Sequence, residues 1–219
     1  GDEGMEVPSL GIYADRDWPE PEKGRAAMIS YLDRDIGRLM QKLKNLGIDQ
    51  RTIVFFTSDN GPWLIFNEQG GSAGLLRDGK GSTWEGGMRE PTLAWWPGTI
   101  KPGSVSRELA STMDIYSTAS DLAGVEVPDD RTMDSYNLLP ILKGETGQRS
   151  SLFYYRGYRL MAVRHGGWKM HLMTQNAYGQ PEPVRHDNPL LFNLHVDPSE
   201  SRDGQAAHPR RAALVAGEG

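Results

Sequence analysis

Residues 52–63 read TIVFFTSDNGPW, and this stretch decides how the rest of the chain is interpreted. An apolar, β-branched run without alternation is typical of a strand that is covered on both faces. Asp, Asn and Gly are also the residues that tight turns prefer, so a plain turn after the strand is one interpretation. The other is a cation site at the carboxyl edge of a parallel strand, with oxygen ligands from Asp59 and Asn60. These residues alone leave both interpretations open.

The segments on either side of this stretch predict an α/β arrangement. Apolar residues recur at three- and four-residue steps over 22–46, which predicts an amphipathic helix. A short strand is predicted in PTLAWWPG (91–98), followed by a helix over 113–122 with Ser111 or Thr112 as its N-cap. A helix that leads into a buried strand is half of a βαβ unit, so we expect α/β architecture in this part.

The pattern changes beyond residue 143. The segments SLFYYRG, YRLMAVRHGG, WKMHLMT and PLLFNLHVD are short and rich in β-forming residues, which predicts an antiparallel sheet. Residues 208–215 are predicted to form a short terminal helix. The sequence therefore predicts two parts: an α/β part over 1–145 and a small antiparallel β subdomain with a terminal helix over 146–219.

Composition excludes several classes of function. The chain has 219 residues, of which 37% are hydrophobic and 24% charged, as expected for a folded protein. A net charge of −5 without a basic stripe argues against a nucleic-acid partner. No apolar run approaches the roughly 18–20 residues that cross a bilayer, so no membrane span is predicted. The absence of cysteine excludes disulfides, thiolate ligands and thiol nucleophiles within this chain.

A glycine-rich segment over 70–91, GGSAGLLRDGKGSTWEGGMREP, contains a lysine between two glycines. A lysine in such a loop is ordinarily a solvated charge. The flanking Gly79 and Gly81 also allow the backbone to bring the ammonium group of Lys80 close to an anion without a side-chain clash. Both interpretations of Lys80 stay open at this point.

The segments TIVFFTSDNGP (52–62) and GLLRDGKGSTWEGGMREPTLAWWPGTIKPG (74–103) together resemble the sulfatase family. The similarity is to its arylsulfatase A and N-acetylgalactosamine-6-sulfatase branch, within the alkaline phosphatase superfamily. This resemblance implies part of an alkaline-phosphatase-like mixed sheet with flanking helices, plus the small C-terminal antiparallel sheet. It implies that Asp59 and Asn60 bind a divalent cation, usually Ca²⁺, and that Lys80 contacts the substrate sulfate during catalysis.

Other charged and polar residues are given structural roles at this stage. Those interpreted as structural are Glu85, Arg89, Glu90 and Asp114. Alternation in VRHGGWKMHL allows His165 or His171 to point outward, where a histidine is suited to proton transfer, although a single histidine is usually not catalytic. The connection over 174–189 is long enough to overhang a substrate.

Several expected components of a sulfatase are missing from this chain. The resemblance implies a formylglycine nucleophile, made from Cys or Ser in a Cys/Ser-x-Pro-x-Arg motif, but the chain has no cysteine and no such motif. The family's first Asp pair and its Lys-x-His and Pro-His segments are missing as well. All of these precede the matched motifs in the family. We therefore expect a C-terminal portion of a sulfatase that is inactive by itself and binds cations weakly.

Two alternatives remain, together with several expectations that follow from the resemblance. A phosphatase or phosphodiesterase of the same superfamily would share the metal chemistry but would use Ser or Thr as nucleophile and zinc with His ligands. A non-enzymatic binding module is the other alternative. The resemblance implies a sulfate-ester small molecule or a sulfated glycan as partner, and an exported (periplasmic or secreted) or lysosomal protein. An exposed sheet edge would favour self-association.

Overall fold

The computed structural model describes residues 5–217, except for the side chain of Glu68. The helices and strands in chain order are α1 (Glu20–Asn45), β1 (Val54–Thr57), α2 (Glu85–Met88), β2 (Thr92–Trp95), α3 (Asp114–Ala123), α4 (Leu139–Leu142), β3 (Ser151–Arg156), β4 (Arg159–His165), β5 (Trp168–Thr174), β6 (Val184–Asn193) and α5 (Pro209–Ala216). Helices combine with two antiparallel sheets, so the predicted mixed α/β class is confirmed. Within residues 5–217, no helix has both the length and the apolar character needed to cross a membrane.

Helix α1 covers Glu20–Asn45, within two residues of the predicted 22–46 at each end. Pro21 lies in the first turn, where its missing N–H is not needed, and Gly47 follows the helix with φ of 64°, in the left-handed region that suits glycine. The apolar stripe of α1 is not covered, however, because Leu32 and Leu39 are both exposed. The periodicity therefore predicted the helix correctly but not what lies against its apolar face.

Strands β1 and β2 form a two-stranded antiparallel sheet, in which Val54 pairs with Trp95 and Thr57 with Thr92. The prediction of a parallel strand covered on both faces is wrong for this chain. The paired residues Phe56 and Leu93 are 45% and 67% exposed, so one face of the sheet is open to solvent. A run of apolar residues indicates that a strand tends to be buried, but it does not indicate whether neighbouring strands are present or in which direction they run.

The second sheet has the strand order β3-β4-β5-β6, with every neighbouring pair antiparallel. Helix α5 packs on β4 and β5 and completes an apolar core formed by Val163, Met170, Leu191 and Val215. Because β6 already begins at Val184, the connection after β5 covers only residues 175–183, which is shorter than predicted. The division of the chain at residue 145 stays a prediction.

The first turn of α3 is joined by an ion pair to the segment that precedes the second sheet. Asp114 is a first-turn residue of α3, as predicted, although the residue before the helix is Met113 and not the predicted Ser111 or Thr112. The Asp114 carboxylate is buried, accepts a hydrogen bond from the backbone N–H of Ser111, and pairs with Arg149 at 2.6 Å. Asp114 is therefore held as a structural ion pair, where each charge compensates the other.

Candidate functional site

A cavity of about 860 Å³ opens beyond the end of β1. Its wall is formed by residues that immediately follow β1, by the first half of the glycine-rich segment and by the residues that lead into β2. Asp59, Asn60 and Lys80 all line this cavity, which we call the open cavity. The structure thus brings together the three site residues that the sequence singled out, although it does not by itself establish their roles.

Close backbone contacts hold Lys80 beside the end of β1. The Lys80 N–H donates to the carbonyl of Pro62 at 2.9 Å, and the Gly61 N–H donates to the carbonyl of Gly87 at 3.3 Å. A Cβ atom on Gly61 would overlap the carbonyl of Gly86, and one on Gly86 would overlap the carbonyls of residues 77 and 78. Glycine is therefore required on both sides of this contact, because any side chain would push the loop away from β1.

The ammonium group of Lys80 is available to an anion. Lys80 is exposed, and within residues 5–217 its side chain forms neither an ion pair nor a hydrogen bond. Its Nζ lies 5.1 Å from the ring centroid of Trp63, a cation–π contact that favours one position of the side chain. A positive charge that is held in place but not neutralised is suited to binding a sulfate group.

Sequence reasoning missed two residues of the open cavity. Arg89 and Glu90, interpreted as structural, both line it. One carboxylate oxygen of Glu90, Oε1, is buried without a hydrogen-bond partner among the described residues. Burial raises the pKa of Glu90, and the negative charge of Asp59 raises it further. No sequence signal separates Glu90 from an ordinary loop carboxylate, because its neighbours in space come from another segment.

The donors in the open cavity suit a hard cation in type but not in number. The exposed carboxylate of Asp59, the amide oxygen of Asn60 and the unpaired oxygen of Glu90 are the kinds of ligand that Ca²⁺ prefers. Among the residues that the structure describes, however, no group of three or more His, Cys, Asp or Glu side chains is arranged to hold a metal ion. Because Ca²⁺ takes six to eight oxygen ligands, this chain provides at most part of such a shell.

A second cluster of charged residues lies behind the glycine-rich segment, and we call Glu85, Lys169, His171 and Glu200 the buried network. All four residues are 0% exposed. The Lys169 Nζ lies 3.0 Å from Glu85 Oε1 and 3.1 Å from Glu200 Oε1, and it donates to the Thr83 carbonyl at 2.7 Å. The Glu85 N–H also donates to Glu200 Oε2 at 2.6 Å. The buried network therefore fastens the loop that carries Lys80 to the second sheet.

His171 belongs to this network and not to the solvent. Its Nε2 lies 2.6 Å from Glu200 Oε1, and its ring packs 4.2 Å from that of Trp84. Burial lowers the pKa of His171, which favours the neutral ring, and the tautomer with a proton on Nε2 would donate to the Glu200 carboxylate. Alternation allowed either His165 or His171 to point outward, but His171 is buried because the glycine-rich segment covers this face of the sheet. His165 is half-buried, with Nδ1 2.9 Å from Ser151 Oγ, and neither histidine lines the open cavity.

Comparison with known proteins places the chain among sulfatases. The sulfatase family model matches residues 18–125, and the model for the C-terminal region of aryl-sulfatase matches residues 147–216. The chain is 44% identical to N-acetylgalactosamine-6-sulfatase of Mus musculus over 191 residues, which covers 77% of this chain and 36% of that protein. It is 43% identical to arylsulfatase A of Homo sapiens over 188 residues, covering 78% of this chain and 36% of that protein.

Solved structures agree with this result. The crystal structure of PsFucS1 sulfatase from Pseudoalteromonas sp. matches with a TM-score of 0.79 and 29% identity, covering 90% of this chain and 41% of that chain. The chain thus spans well under half the length of the proteins that it matches. Its sequence, its fold and the order of its motifs agree on one assignment, and the chain belongs to the sulfatase family.

Proposed function

We propose that the protein containing this chain hydrolyses sulfate esters, and that Lys80, Asp59 and Asn60 form part of the site that does so. The observation that carries this proposal is that these three residues, which come from two separate segments, line one open cavity. The type of each group supports it as well, because an ammonium group lines the same cavity as oxygen donors that suit a divalent cation.

Each residue has a distinct role in the proposed reaction. The Lys80 ammonium binds the sulfate oxygens and stabilises the negative charge that develops on the leaving oxygen in the transition state. Asp59 and Asn60 would provide oxygen ligands to a Ca²⁺ ion, which would supply further positive charge near the sulfate. The attacking group, a formylglycine in the enzymes that the chain resembles, comes from outside these 219 residues, since no cysteine and no Ser-x-Pro-x-Arg motif is present.

The substrate class follows from the same comparison. We propose an aryl or sugar sulfate, since one relative acts on N-acetylgalactosamine 6-sulfate by its name and another on aryl sulfates. An exported or lysosomal location is proposed on the resemblance alone.

Replacement of Lys80 tests this function directly. In the full-length protein, Lys80→Ala is expected to lower kcat/KM for a chromogenic aryl sulfate by about 10²- to 10³-fold, because a charge that stabilises the transition state is removed. Lys101→Ala, which removes an exposed lysine outside the cavity, is the matched control and should leave kcat/KM unchanged. Equal activities of the two variants would contradict the role of Lys80. Faster hydrolysis of the corresponding aryl phosphate would favour the phosphatase alternative.

The isolated chain provides a second test of the same site. We expect no turnover of an aryl sulfate and, by calorimetry, a dissociation constant for Ca²⁺ of about 1 mM or weaker, because most of the shell is left to water. Asp59→Asn should weaken this binding further, whereas Asp130→Asn, at an exposed position away from the cavity, should not. Turnover above a buffer blank would overturn the expectation that this chain is inactive.

A further inference from the structure

Residues 77–86, which we call the 77–86 loop, carry Lys80 between two ends that are joined to each other. The Gly86 N–H donates to the carbonyl of Arg77 at 2.8 Å, which closes the loop at its base. Within the loop, the Lys80 N–H donates to the carbonyl of Pro62. The position of Lys80 therefore depends on what holds the two ends of the loop in place.

A single residue from the last part of the chain, Glu200, bonds to both ends of the 77–86 loop. The Arg77 guanidinium donates to the backbone carbonyl of Glu200 at 3.0 Å. The Glu85 N–H donates to Glu200 Oε2 at 2.6 Å, across 115 residues of chain. Glu200 lies in the connection between β6 and α5. This connection therefore fixes the loop that carries Lys80 at its beginning and at its end.

The carboxylate of Glu200 is fully buried and charged. Its Oε1 contacts His171 Nε2 at 2.6 Å and Lys169 Nζ at 3.1 Å, which leaves Oε2 to the loop. Burial raises the pKa of Glu200, but the hydrogen bond with His171 and the charge of Lys169 outweigh this effect, so the pKa lies below its ordinary value. A charged acceptor forms a stronger hydrogen bond with a backbone N–H than a neutral one does. The charge of Glu200 thus strengthens its contact with the loop.

The turn that presents Glu200 is itself held by hydrogen bonds. Glu200 has φ of 49°, a left-handed conformation that persists in a residue other than glycine only where the surroundings enforce it. The Glu200 N–H donates to the carbonyl of Asp197 at 3.2 Å. The Asp197 carboxylate accepts the N–H of Ser201 at 2.9 Å and that of Arg202 at 2.8 Å. These bonds fix the direction in which Glu200 reaches the loop.

The contacts to the 77–86 loop lie on the face of the second sheet that points away from α5. Successive side chains of a strand point to opposite faces of the sheet. Lys169 of β5 contacts Glu200, whereas the next residue, Met170, lies in the apolar core with Val215 of α5. A substitution at Val215 therefore weakens the same subdomain from the face opposite the loop.

We propose that Glu200 is a positioning residue for Lys80, because it bonds to both ends of the 77–86 loop and so fixes where the ammonium group lies in the open cavity. This inference rests on the proposed function of Lys80 and adds a residue that does not line the cavity. Glu200 then affects the reaction only through Lys80. A misplacement of about 1 Å in a group that stabilises a transition state lowers the rate by up to about 10²-fold.

A double-mutant cycle in the full-length protein tests this proposal. Glu200→Gln, Lys80→Ala and the combined variant are compared with the unaltered protein in kcat and KM for a chromogenic aryl sulfate. With Lys80 present, Glu200→Gln should lower kcat/KM by about 10- to 100-fold, mainly through kcat. In the Lys80→Ala background, the same change should lower kcat/KM by less than about twofold. Equal factors in both backgrounds, or no effect in either, would overturn the proposal.

Val215→Ala is the matched control, because it leaves a gap in the core of the second sheet on the face opposite the loop. Its effect on kcat/KM should be the same with and without Lys80, since it acts on the amount of folded protein. Dependence on Lys80 as strong as that of Glu200→Gln would contradict the specific role of Glu200.

A second variant applies if Glu200→Gln does not fold. Arg77→Gln changes an exposed residue and removes the hydrogen bond from the beginning of the loop to the Glu200 carbonyl. It should lower kcat/KM by a smaller factor than Glu200→Gln, and again only when Lys80 is present. The same factor in the Lys80→Ala background would overturn the proposal.

Hydrogen exchange separates this inference from the proposed function. If no aryl sulfate is hydrolysed, or if Lys80→Ala leaves hydrolysis unchanged, the proposed function fails, and exchange of the backbone amides in the full-length protein decides the role of Glu200. Glu200→Gln should speed exchange in the 77–86 loop by about tenfold or more, whereas Val215→Ala should not. Equal exchange of the loop in the two variants would exclude Glu200 as the residue that positions it.

Discussion

Lys80 and Glu85 lie in the same glycine-rich segment, but their environments are opposite. Lys80 is exposed in the open cavity and has no ion pair within the described part of the chain. Glu85 is fully buried and contacts Lys169 at 3.0 Å. The difference shows that residue type does not decide whether a charge in this segment meets a ligand. Burial and pairing decide it, because a charge that is neutralised by the protein cannot neutralise a substrate.

The largest expected effect is a difference in stability between a variant of the buried network and a variant of the open cavity. Lys169→Met leaves the carboxylates of Glu85 and Glu200 buried without their shared cation, which should lower the free energy of unfolding of the chain by about 3–5 kcal/mol. Lys80→Met removes a charge from the open cavity and should change the free energy of unfolding by no more than about 0.5 kcal/mol. Urea denaturation of both variants measures the contrast. Equal losses would mean that the open cavity is as structural as the buried network.

A smaller effect tests the close packing of backbone beneath the open cavity. Gly86→Ala introduces a methyl group that overlaps the carbonyls of Arg77 and Asp78, so it should destabilise the chain by about 1–3 kcal/mol. Gly37→Ala is the control, because Gly37 lies within α1 with no atom in reach of an added Cβ. That change should stabilise the chain by about 0.5–1 kcal/mol through helix propensity. A neutral Gly86→Ala would show that the loop can move away from β1 without cost.

The smallest effect is a pH dependence that has opposite signs in the two regions. Burial lowers the pKa of His171 below its ordinary value of 6.5, so the unfolded chain takes up the proton before the folded chain does. The free energy of unfolding should therefore fall as the pH decreases below 6.5. The fall is about 1 kcal/mol for each pH unit until the pH reaches the lowered pKa of the folded chain. His171→Gln cannot titrate and should remove this slope between pH 6.5 and 5. An unchanged slope in the variant would show that folding does not shift the pKa of His171.

The pH dependence that comes from Glu90, in the open cavity, has the opposite sign to that of His171. Burial and the charge of Asp59 raise the pKa of Glu90 above its ordinary value of 4.5. Its contribution to stability is therefore present below pH 4.5 and is lost as the pH rises through the raised pKa. Glu90→Gln should reduce that loss, and the difference between the two denaturation profiles checks the sign. A profile identical to that of the unaltered chain would mean that Glu90 is hydrated like an ordinary surface carboxylate.

Predictions from the sequence succeeded where a local pattern carries the information. Helix α1 was predicted from three- and four-residue steps, and the antiparallel second sheet from short β-rich segments separated by Gly or Pro. The resemblance to sulfatases also predicted one site for Asp59, Asn60 and Lys80; these residues line one cavity, and their roles stay a prediction. The patterns that predict the helix and the sheet each span a few neighbouring residues, and the resemblance rests on motifs in two segments.

The failures concern properties that depend on distant contacts. Strand β1 was predicted to be parallel and buried, but its partner β2 returns antiparallel and leaves Phe56 open to solvent. Alternation in the sequence allowed His165 or His171 to point outward, but Glu200 and Trp84 cover His171. The cavity role of Glu90 was missed because it depends on the proximity of Asp59, from the other side of the glycine-rich segment.

The sequence by itself determined the family, the main helices and strands, and which charged residues are candidates for the site. Only the tertiary structure decided which of those charges are free, since Glu85 meets Lys169 and Glu200 across 84 and 115 residues of chain. Patterns of helix and strand arise from interactions between close neighbours in sequence, so they can be read from the chain. Burial and ion pairing arise from packing between remote segments, and for that reason they become visible only in the folded molecule.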